Sequence, residues 1–442
     1  THCCPVCLGL PGSIPRLNKR VLEYGIRAGI AFDCKIANNV KMDKKHYFYP
    51  DLVKGYQTSQ DDKPLCEDGY VKIETENGTK NVGLIRIHIE EDTGKSLHTE
   101  GGDTLLDYNR AGVPLIEIVT APDMNTSEEA RLFLESLRNT LKYIEVSDCK
   151  MEEGSLRCDV NINVVDDETG NKTNITELKN LNSFKSVVNA IDYEVERHIS
   201  HLEKGENTVK ETRRWNELEN KTVVMRDKGG TENYRYSVDV DVLPVEIEKD
   251  WIEEIRNNLP ELPHHKKERF IKEYDLPEYD AGVLTQSKEI AQFYEETNKY
   301  AKDPKQVSNW IMGDVLRRLN DEELEIEDLK FGPKDLADLI EFIKDGKISN
   351  NIGKKVLRDM FETGEKPEKI IKKKGLIQIS DEGELEGIIE KVLDENQQSI
   401  IDYNNGKDRA LGFLIGQVMK ATRGKANPQL VNKMVKEMIK SR

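Results

Sequence analysis

The 442-residue chain has no apolar run approaching the roughly 18 residues that a membrane-spanning helix requires, which predicts a soluble protein that spans no membrane. Basic charge is in short supply. Sixty-six Lys and Arg stand against 82 Asp and Glu, a formal net charge of −16, which argues against a protein that coats nucleic acid with its whole surface but leaves room for a local basic patch. Histidine is scarce, at eight residues, and there is no legible Ser-His-Asp arrangement, HExxH pair, GxSxG elbow or GxGxxG turn leading into a helix. Thr93-Gly-Lys-Ser96 invites a phosphate-loop reading, but that motif needs a glycine five positions before Gly94, where Ile89 stands. The seven cysteines (Cys3, Cys4, Cys7, Cys34, Cys66, Cys149 and Cys158) are odd in number and scattered. They read as reduced thiols in a cytosolic setting rather than as a disulfide framework.

What the chain does have is length for two to four domains and a substantial core, with two acidic stretches about 25 residues apart. In the second, Leu115, Glu117 and Val119 share one strand face and Ile116 and Ile118 the other. Apolar residues on both faces predict a strand covered on both sides. Glu117 would then be a carboxylate inside a core, expensive unless paired or bound to a cation. In the first stretch Ile85, Ile87 and Ile89 alternate with Arg86 and His88 and run into Glu90, Glu91 and Asp92. The expectation is that Glu91 and Glu117 meet around a metal ion.

The rest of the chain supplies the setting. Cys4-Pro-Val-Cys7 is either half of a four-ligand structural zinc site or two unligated cysteines in a turn. The opening at Thr1, without Met, reads as a fragment lacking its N-terminal segment. Pro15 to Ala31 has helical spacing, and Asn77-Gly78 predicts a hairpin turn between strands at 71–75 and 82–89. Lys41 to Asp51 mixes basic and aromatic residues, Lys45, Tyr47 and Tyr49 among them. It suits either a rim that stacks on a nucleotide or RNA end or a strand with a solvated face. Thr126-Ser-Glu-Glu129 is a capping box. Further on, Arg157, Asp159, Asn161 and Asn163 form one polar strand face, and Glu177 and Lys179 share a face of another. These suit a phosphate-binding floor or a solvent-facing antiparallel pair. From about Trp251 the pattern turns helical, and from Met419 to Arg442 seven Lys or Arg meet one acidic residue. That basic tail suits an RNA phosphate contact or a solvated helix end. The expected fold class is α+β, with a sheet-containing cradle domain at 1–260, a helical domain at 261–373 and a small all-α tail domain at 374–442.

The oxygen-rich set Glu90, Glu91, Asp92, Glu117 and Asp159, flanked by Arg86, Arg157 and Lys179, suits Mg²⁺ bridging substrate phosphates, with the cations neutralising charge on a transferring phosphoryl group. Residue chemistry alone reaches that far and names no substrate.

Several motifs resemble one family, in order along the chain. They are Cys-Pro-Val-Cys-Leu-Gly-Leu-Pro-Gly12, Tyr47-Phe-Tyr-Pro-Asp51 with Lys54-Gly-Tyr-Gln57, His88-Ile-Glu-Glu-Asp92 with Gly-Lys-Ser96, and Leu115-Ile-Glu-Ile118. Met151-Glu-Glu-Gly-Ser-Leu-Arg-Cys-Asp159, Glu177-Leu-Lys-Asn-Leu-Asn-Ser-Phe184 and Gly424-Lys-Ala-Asn-Pro428 complete the set. The chain resembles the B subunits of tRNA-dependent amidotransferases. The resemblance implies a cradle-like α/β domain, a helical domain and a helical tail that contacts tRNA. It implies ATP-dependent phosphorylation of the side-chain carboxylate of glutamate on mischarged tRNA(Gln), or of aspartate on tRNA(Asn). Ammonia from an amidase A subunit then displaces the phosphate, and the pair is braced by a small C subunit. Position by position it implies Glu91 and Glu117 as Mg²⁺ ligands, Asp159 as a neighbouring active-site acid with Glu90 beside it, and Arg157 and Lys179 lining the cradle. Lys45, Tyr47 and Tyr49 match the rim, with Arg86 and Glu177 on the substrate and ATP side, and Lys420, Arg423 and Lys425 fall in the tRNA-contacting tail. Cys4 and Cys7 match half a zinc site. The family's first strand, with an acid and a histidine two positions on, and its other cysteine pair are not matched. The segment Tyr234 to Asp241 departs after Tyr236 from a more proline- and aromatic-rich pattern. The setting is expected to be cytoplasmic, or organellar in a eukaryote. The alternatives are a non-catalytic tRNA-binding scaffold and a ligase acting on a free amino acid.

Overall fold

The computed structural model describes residues 2–99, 101–206, 208–225, 234–376, 382–422, 426 and 428–441. The chain forms two compact units, Thr1–Leu262 and Pro263–Arg442.

The first unit runs α1 (Lys19–Ala31), β1 (Lys35–Ile36), β2 (Asn39–Val40), β3 (Asp43–His46), β4 (Tyr56–Ser59), β5 (Cys66–Thr75), β6 (Gly78–Glu91), β7 (Lys95–His98), β8 (Thr104–Asp107) and β9 (Pro114–Thr120). It continues with α2 (Ser127–Tyr143), β10 (Val160–Ile162), β11 (Thr176–Lys179), α3 (Phe184–Glu203), β12 (Glu211–Asn216), β13 (Lys221–Val224), β14 (Arg235–Val238), β15 (Val245–Glu246) and α4 (Lys249–Asn258). One four-stranded sheet has the order β1-β5-β6-β9 and is antiparallel throughout. Helix α1 packs on β5 and β6, and α2 on β5. The start of α1 at Lys19 rather than Pro15 is set by Asn18, whose side chain accepts the Arg20 amide at 2.9 Å. Beside the end of α1, only glycine fits at position 69. A Cβ there would stand 2.6 Å from the Phe32 carbonyl oxygen, which also accepts the Tyr70 amide.

The β5–β6 hairpin forms where Asn77-Gly78 predicts it, one position earlier. Thr75 pairs with Gly78, leaving Glu76 and Asn77 as the two-residue loop. Along β6 the core-facing phase changes. Val82 and Leu84 are buried, then Ile87 and Ile89, while Ile85 between them is half exposed. Ile85 is an extra residue against β9, where Leu84 pairs with Thr120 and Arg86 with Val119, a β-bulge. The expected regular alternation of Ile85 with Ile87 and Ile89 is therefore broken at its first member.

The expectation of a doubly covered strand around Glu117 is corrected. Strand β9 lies at the edge of its sheet. Ile116 and Ile118 pack against the core, but the Glu117 side chain is 47% exposed. The helices cover one face of this sheet, so apolar residues at 115 and 119 do not mean burial on the other.

The second four-stranded sheet, β10-β11-β12-β13, contains the parallel pair β11–β12, joined through α3 as a β-α-β crossover. Ser183 caps α3 by accepting the Ser186 amide at 3.0 Å. Between α3 and this sheet lies a buried polar network. Glu194 and His198 are both fully buried. Glu194 meets Arg197 at 2.7 Å, Arg213 of β12 at 3.2 Å and His198 at 3.3 Å, and accepts the Thr222 hydroxyl of β13. The His198 ring nitrogens lie 2.6 Å and 3.0 Å from the hydroxyls of Thr173 and Thr176. Burial alone would push the Glu194 carboxyl up, but the hydrogen bonds from His198, Arg197 and Thr222 outweigh it and hold it at about 2.

The smaller sheets are β14-β3-β4, β15-β2 and β7-β8. Of the residues after Tyr236 that depart from the resembled pattern, Ser237 and Val238 lie in β14, in which Tyr236 stands opposite Lys45.

The second unit is helical throughout its described elements and holds two hydrophobic cores, one built from Phe270 to Ile371 and one from Leu385 to Ile439. In the second, the apolar stripes of two helices meet. Leu414 and Val418 of the helix Asp408–Ala421 and Val431 and Val435 of the helix Pro428–Lys440 are fully buried. The architecture is α+β, a sheet-containing cradle followed by helical domains. No helix among the described residues is long and apolar enough to cross a membrane.

Glu194→Ala is expected to destabilise the first unit by about 3 kcal/mol, since it leaves the buried His198 and Thr222 and the partly buried Arg197 and Arg213 without their shared carboxylate, measured by urea unfolding. Because the folded carboxyl titrates far below its ordinary value, its contribution is complete above about pH 4.5 and is lost as pH falls toward 2. Acid unfolding of Glu194→Gln should lack that component.

Candidate functional site

The β6–β9 register builds the first cluster. His88 pairs directly with Glu117, and Glu90, two residues along β6, shares their face. His88 Nε2 lies 3.7 Å from Glu117 and 3.9 Å from Glu90. One ligand atom from each of the three lies within 4.8 Å of the others, the only such group of three among the described residues. His88 is 3% exposed, and its Nδ1 is buried without a hydrogen-bond partner among the described residues. Two carboxylate oxygens and one imidazole nitrogen converging this closely fit a divalent cation that keeps several waters.

Glu91 faces the other way. Its carboxylate is ion-paired with Lys54 and accepts the Thr58 amide at 2.8 Å. The structure therefore brings Glu117 to His88 and Glu90 rather than to Glu91. Period-two spacing carries His88 as clearly as Glu90 in the sequence, but only the strand pairing shows that Glu117 stands opposite.

Asp92, 5% exposed, is a hub rather than a free ligand. It binds the Arg157 guanidinium through both of its oxygens, lies 3.3 Å from Arg110 and accepts the Thr93 amide at 2.9 Å. Arg157 is thus held at the end of β6. Two residues on, Asp159 accepts Lys179 at 2.7 Å, and Lys179 also meets Glu177 at 3.0 Å. Glu177 in turn accepts the Thr212 hydroxyl at 2.9 Å. Burial works against charge at both Glu177 and Lys179, yet their mutual pairing lowers the Glu177 carboxyl and, with Asp159, raises the Lys179 amine. The polar faces read from the sequence as a floor are joined by these contacts.

The rim also assembles. Lys45 sits 4.5 Å over the Tyr234 ring, and Tyr47 packs against Tyr234 with ring centroids 5.6 Å apart. Burial raises the Tyr47 phenol, with Asp51, Tyr234 and Glu90 adding to it. Tyr236, which the sequence reading missed as a site residue, pairs with Lys45 across β14 and β3, and burial raises its phenol, with Asp61, Glu117 and Glu90 adding to it and Arg86 opposing. Tyr49 is partly exposed at 37%. Arg86, on the His88 face of β6, donates to the Asp61 carbonyl at 2.9 Å.

Cys4 and Cys7 stand with their sulfurs 3.5 Å apart. Burial, Cys4 and the nearby Glu91 push the Cys7 thiol up to about 11. No third Cys, His or carboxylate joins the pair among the described residues, so two thiols are what this turn offers a zinc ion. In the tail, Lys420 is exposed in the last turn of its helix, whereas Arg423 and Lys425 lie outside the described residues.

Comparison with known proteins matches the chain along nearly its whole length. The model of the GatB/GatE catalytic domain matches residues 1–253, and that of the GatB domain matches residues 292–439. The chain is 55% identical over 438 residues to the B subunit of the aspartyl/glutamyl-tRNA(Asn/Gln) amidotransferase of Clostridium botulinum (strain Kyoto / Type A2), covering 99% of this chain and 92% of that protein. It is likewise 55% identical over 443 residues to the protein of the same name from Clostridium tetani (strain Massachusetts / E88), with the same coverage. The matched first domain is a catalytic one, which sets aside a purely scaffolding role. Matched by the family models over residues 1–253 and 292–439 and 55% identical to these relatives across 99% of its length, this protein is a member of the GatB family of amidotransferase B subunits.

Proposed function

We propose that the first unit uses ATP to activate the side-chain carboxylate of glutamate or aspartate carried on a mischarged tRNA, for amidation by ammonia. The observation that carries this reading is the convergence of His88, Glu90 and Glu117 beside a face on which Lys179 and Arg157 are held by Asp159 and Asp92. A carboxylate is a poor electrophile. Its oxygen attacks the γ-phosphorus of ATP, the bond to the β-γ bridging oxygen breaks and ADP leaves. Ammonia then attacks the carbonyl carbon of the acyl phosphate, the carbon–oxygen bond breaks, and inorganic phosphate and a proton depart with the amide formed.

Within that scheme His88, Glu90 and Glu117 would hold Mg²⁺, which supplies charge neutralisation between the nucleotide phosphates and the attacking carboxylate. Lys179 and Arg157 lie in fixed orientations, because their carboxylate partners restrain them, and so can meet developing negative charge with little reorganisation. The rim of Lys45, Tyr47, Tyr49 and Tyr236 offers ring faces and a cation to a nucleotide or to the terminal adenosine of tRNA. The ammonia source would be an amidase A subunit, with a small C subunit in the complex. The free state of all seven cysteines suits a cytoplasmic setting. The basic tail that includes Lys420, Arg423 and Lys425 would contact tRNA phosphates, and the two thiols of Cys4 and Cys7 would contribute half the ligands of a structural zinc.

Glu117→Ala is expected to lower tRNA-dependent ADP release at least 100-fold while leaving tRNA affinity within about twofold. His88→Ala should raise the Mg²⁺ concentration for half-maximal activity about tenfold. An unchanged Mg²⁺ dependence in both variants would remove the cluster from the reaction. Replacing Lys420, Arg423 and Lys425 together by Ala should weaken tRNA binding and reduce its log–log salt slope by about two to three, roughly one for each phosphate no longer neutralised. A parental slope would exclude the tail.

A further inference from the structure

In the second unit, the helices Pro304–Trp310, Pro333–Lys344 and Asn350–Thr363 meet around a cavity of about 240 Å³ that the activation chemistry does not use. Asp303 caps the first helix, and Gln306 and Trp310 follow on the same face, three and four residues apart. Ile340, Ile343 and Lys344 line the cavity from the second helix and Asn350 from the start of the third. Trp310, Ile340 and Ile343 thus give it an apolar wall. A Cβ on Gly353 of the third helix would stand 2.6 Å from Ile343 Cδ1 and 3.1 Å from Trp310 Cη2. The third helix therefore already presses on both side chains and fixes the wall. Directly after Trp310 the helix continues as a π turn, Ile311–Leu316, a rare backbone form that is frequent at functional sites.

The polar groups at this cavity are engaged on one side and free on the other. Asp303 accepts the Gln306 backbone amide at 3.3 Å and lies 3.6 Å from Lys344. Gln306 and Asn350 are exposed, and neither side-chain amide has a hydrogen-bond partner among the described residues, so each offers a carbonyl and an NH₂ group. Lys302 and Lys305, the chain neighbours of Asp303 and Gln306, are exposed and make no ion pair among the described residues. Lysines further round are neutralised, Lys347 by Asp345 at 2.9 Å and Lys354 by Asp314 at 3.2 Å. In a chain of net charge −16, two uncompensated cations beside one cavity favour an anionic partner.

We propose that this cavity receives one unstacked base from a loop of the tRNA, with Lys302 and Lys305 on the phosphates that flank it. An apolar wall faced by two unpaired amides matches a flat ring that carries donors and acceptors on its edge. An apolar protein side chain would bury both amides without partners, which is costly. At about 240 Å³ the cavity is smaller than the pockets of about 300–1,000 Å³ that take larger ligands, and it suits a single base rather than a whole nucleotide. The site belongs to the hydrophobic core built from Phe270 to Ile371, not to that of the basic tail. It rests on the reading of tRNA as the carrier of the substrate.

The test uses the complete amidotransferase complex with mischarged tRNA and compares the parent with two double variants. In the parent, base-selective chemical probing of the bound tRNA is expected to show one protected loop base outside the acceptor end. In Gln306→Ala with Asn350→Ala that base should become reactive again. The same variant should raise the KM for tRNA by about 5- to 100-fold, the reach of two neutral hydrogen bonds, with kcat and the KM for ATP at parental values. Lys302→Gln with Lys305→Gln should lower the log–log salt slope of tRNA binding by about one to two. An abasic nucleotide at the protected position should weaken the parent by the same factor and leave the amide variant unchanged. A parental KM for tRNA and parental protection in the amide variant overturn the base site. Loss of the amidase subunit in place of tRNA affinity overturns it too, and makes the cavity a protein contact. If amidation by the parent depends on tRNA in those cases, only the base site fails. If the parent amidates a free amino acid without tRNA, the underlying reading of the substrate fails with it. All four residues are exposed, so their replacement leaves the core intact, which a parental unfolding temperature checks.

Discussion

The candidate site depends first on one buried carboxylate whose oxygens are taken up by partners within the fold. Asp92 closes β6 and takes Arg157 from the approach to β10 and Arg110 from the loop before β9. Three segments far apart in sequence are thereby fixed around one charge. At 5% exposure that charge is tolerable only because both guanidinium groups and a backbone amide satisfy it. Removing it would free Arg157 and leave Arg110 held only by the Thr93 and Gly94 carbonyls, loosening the tie between the end of β6 and the segment leading into β10.

Around this tie the first unit separates two electrostatic tasks. On the first sheet, His88, Glu90 and Glu117 converge on one another, an arrangement that asks for a cation from outside. On the second sheet, Asp159 and Glu177 flank Lys179 so that its amine stays charged despite partial burial. The buried Glu194 network holds that second sheet to α3, reaching strands β12 and β13 directly and β11 through Thr176. A polar core of this kind contributes less net stability than apolar packing would, but it fixes the order and register of the strands it touches.

Much of this was readable from local pattern. The Thr126 cap, the apolar stripes of the tail helices and the polar faces at 157–163 and 177–179 follow from local capping chemistry and from periods of 3.6 and 2 within single elements. The partners of Asp92 and Glu91 were not readable, because Arg157 and Lys54 come from other segments. Glu117 was misplaced for a related reason. Its neighbours are apolar, but burial also requires something to cover them, and whether a strand lies at an edge is a property of the whole sheet. His88 was visible as a strand residue. Its role depends on standing opposite Glu117, and register between distant strands leaves little mark on either one.

The bulge at Ile85 has a further consequence. Before it, even-numbered residues of β6 point to the helices, and after it odd-numbered ones do. Had the strand run without it, His88 and Glu90 would be turned into the apolar layer and Ile87 and Ile89 out toward solvent. One residue thus works as a phase shifter that lets a single strand give its even-numbered side chains to the core in its first half and to the acid cluster in its second. It also makes the strand intolerant of length change, since gaining or losing one position between Leu84 and Arg86 would exchange the two roles in a single event.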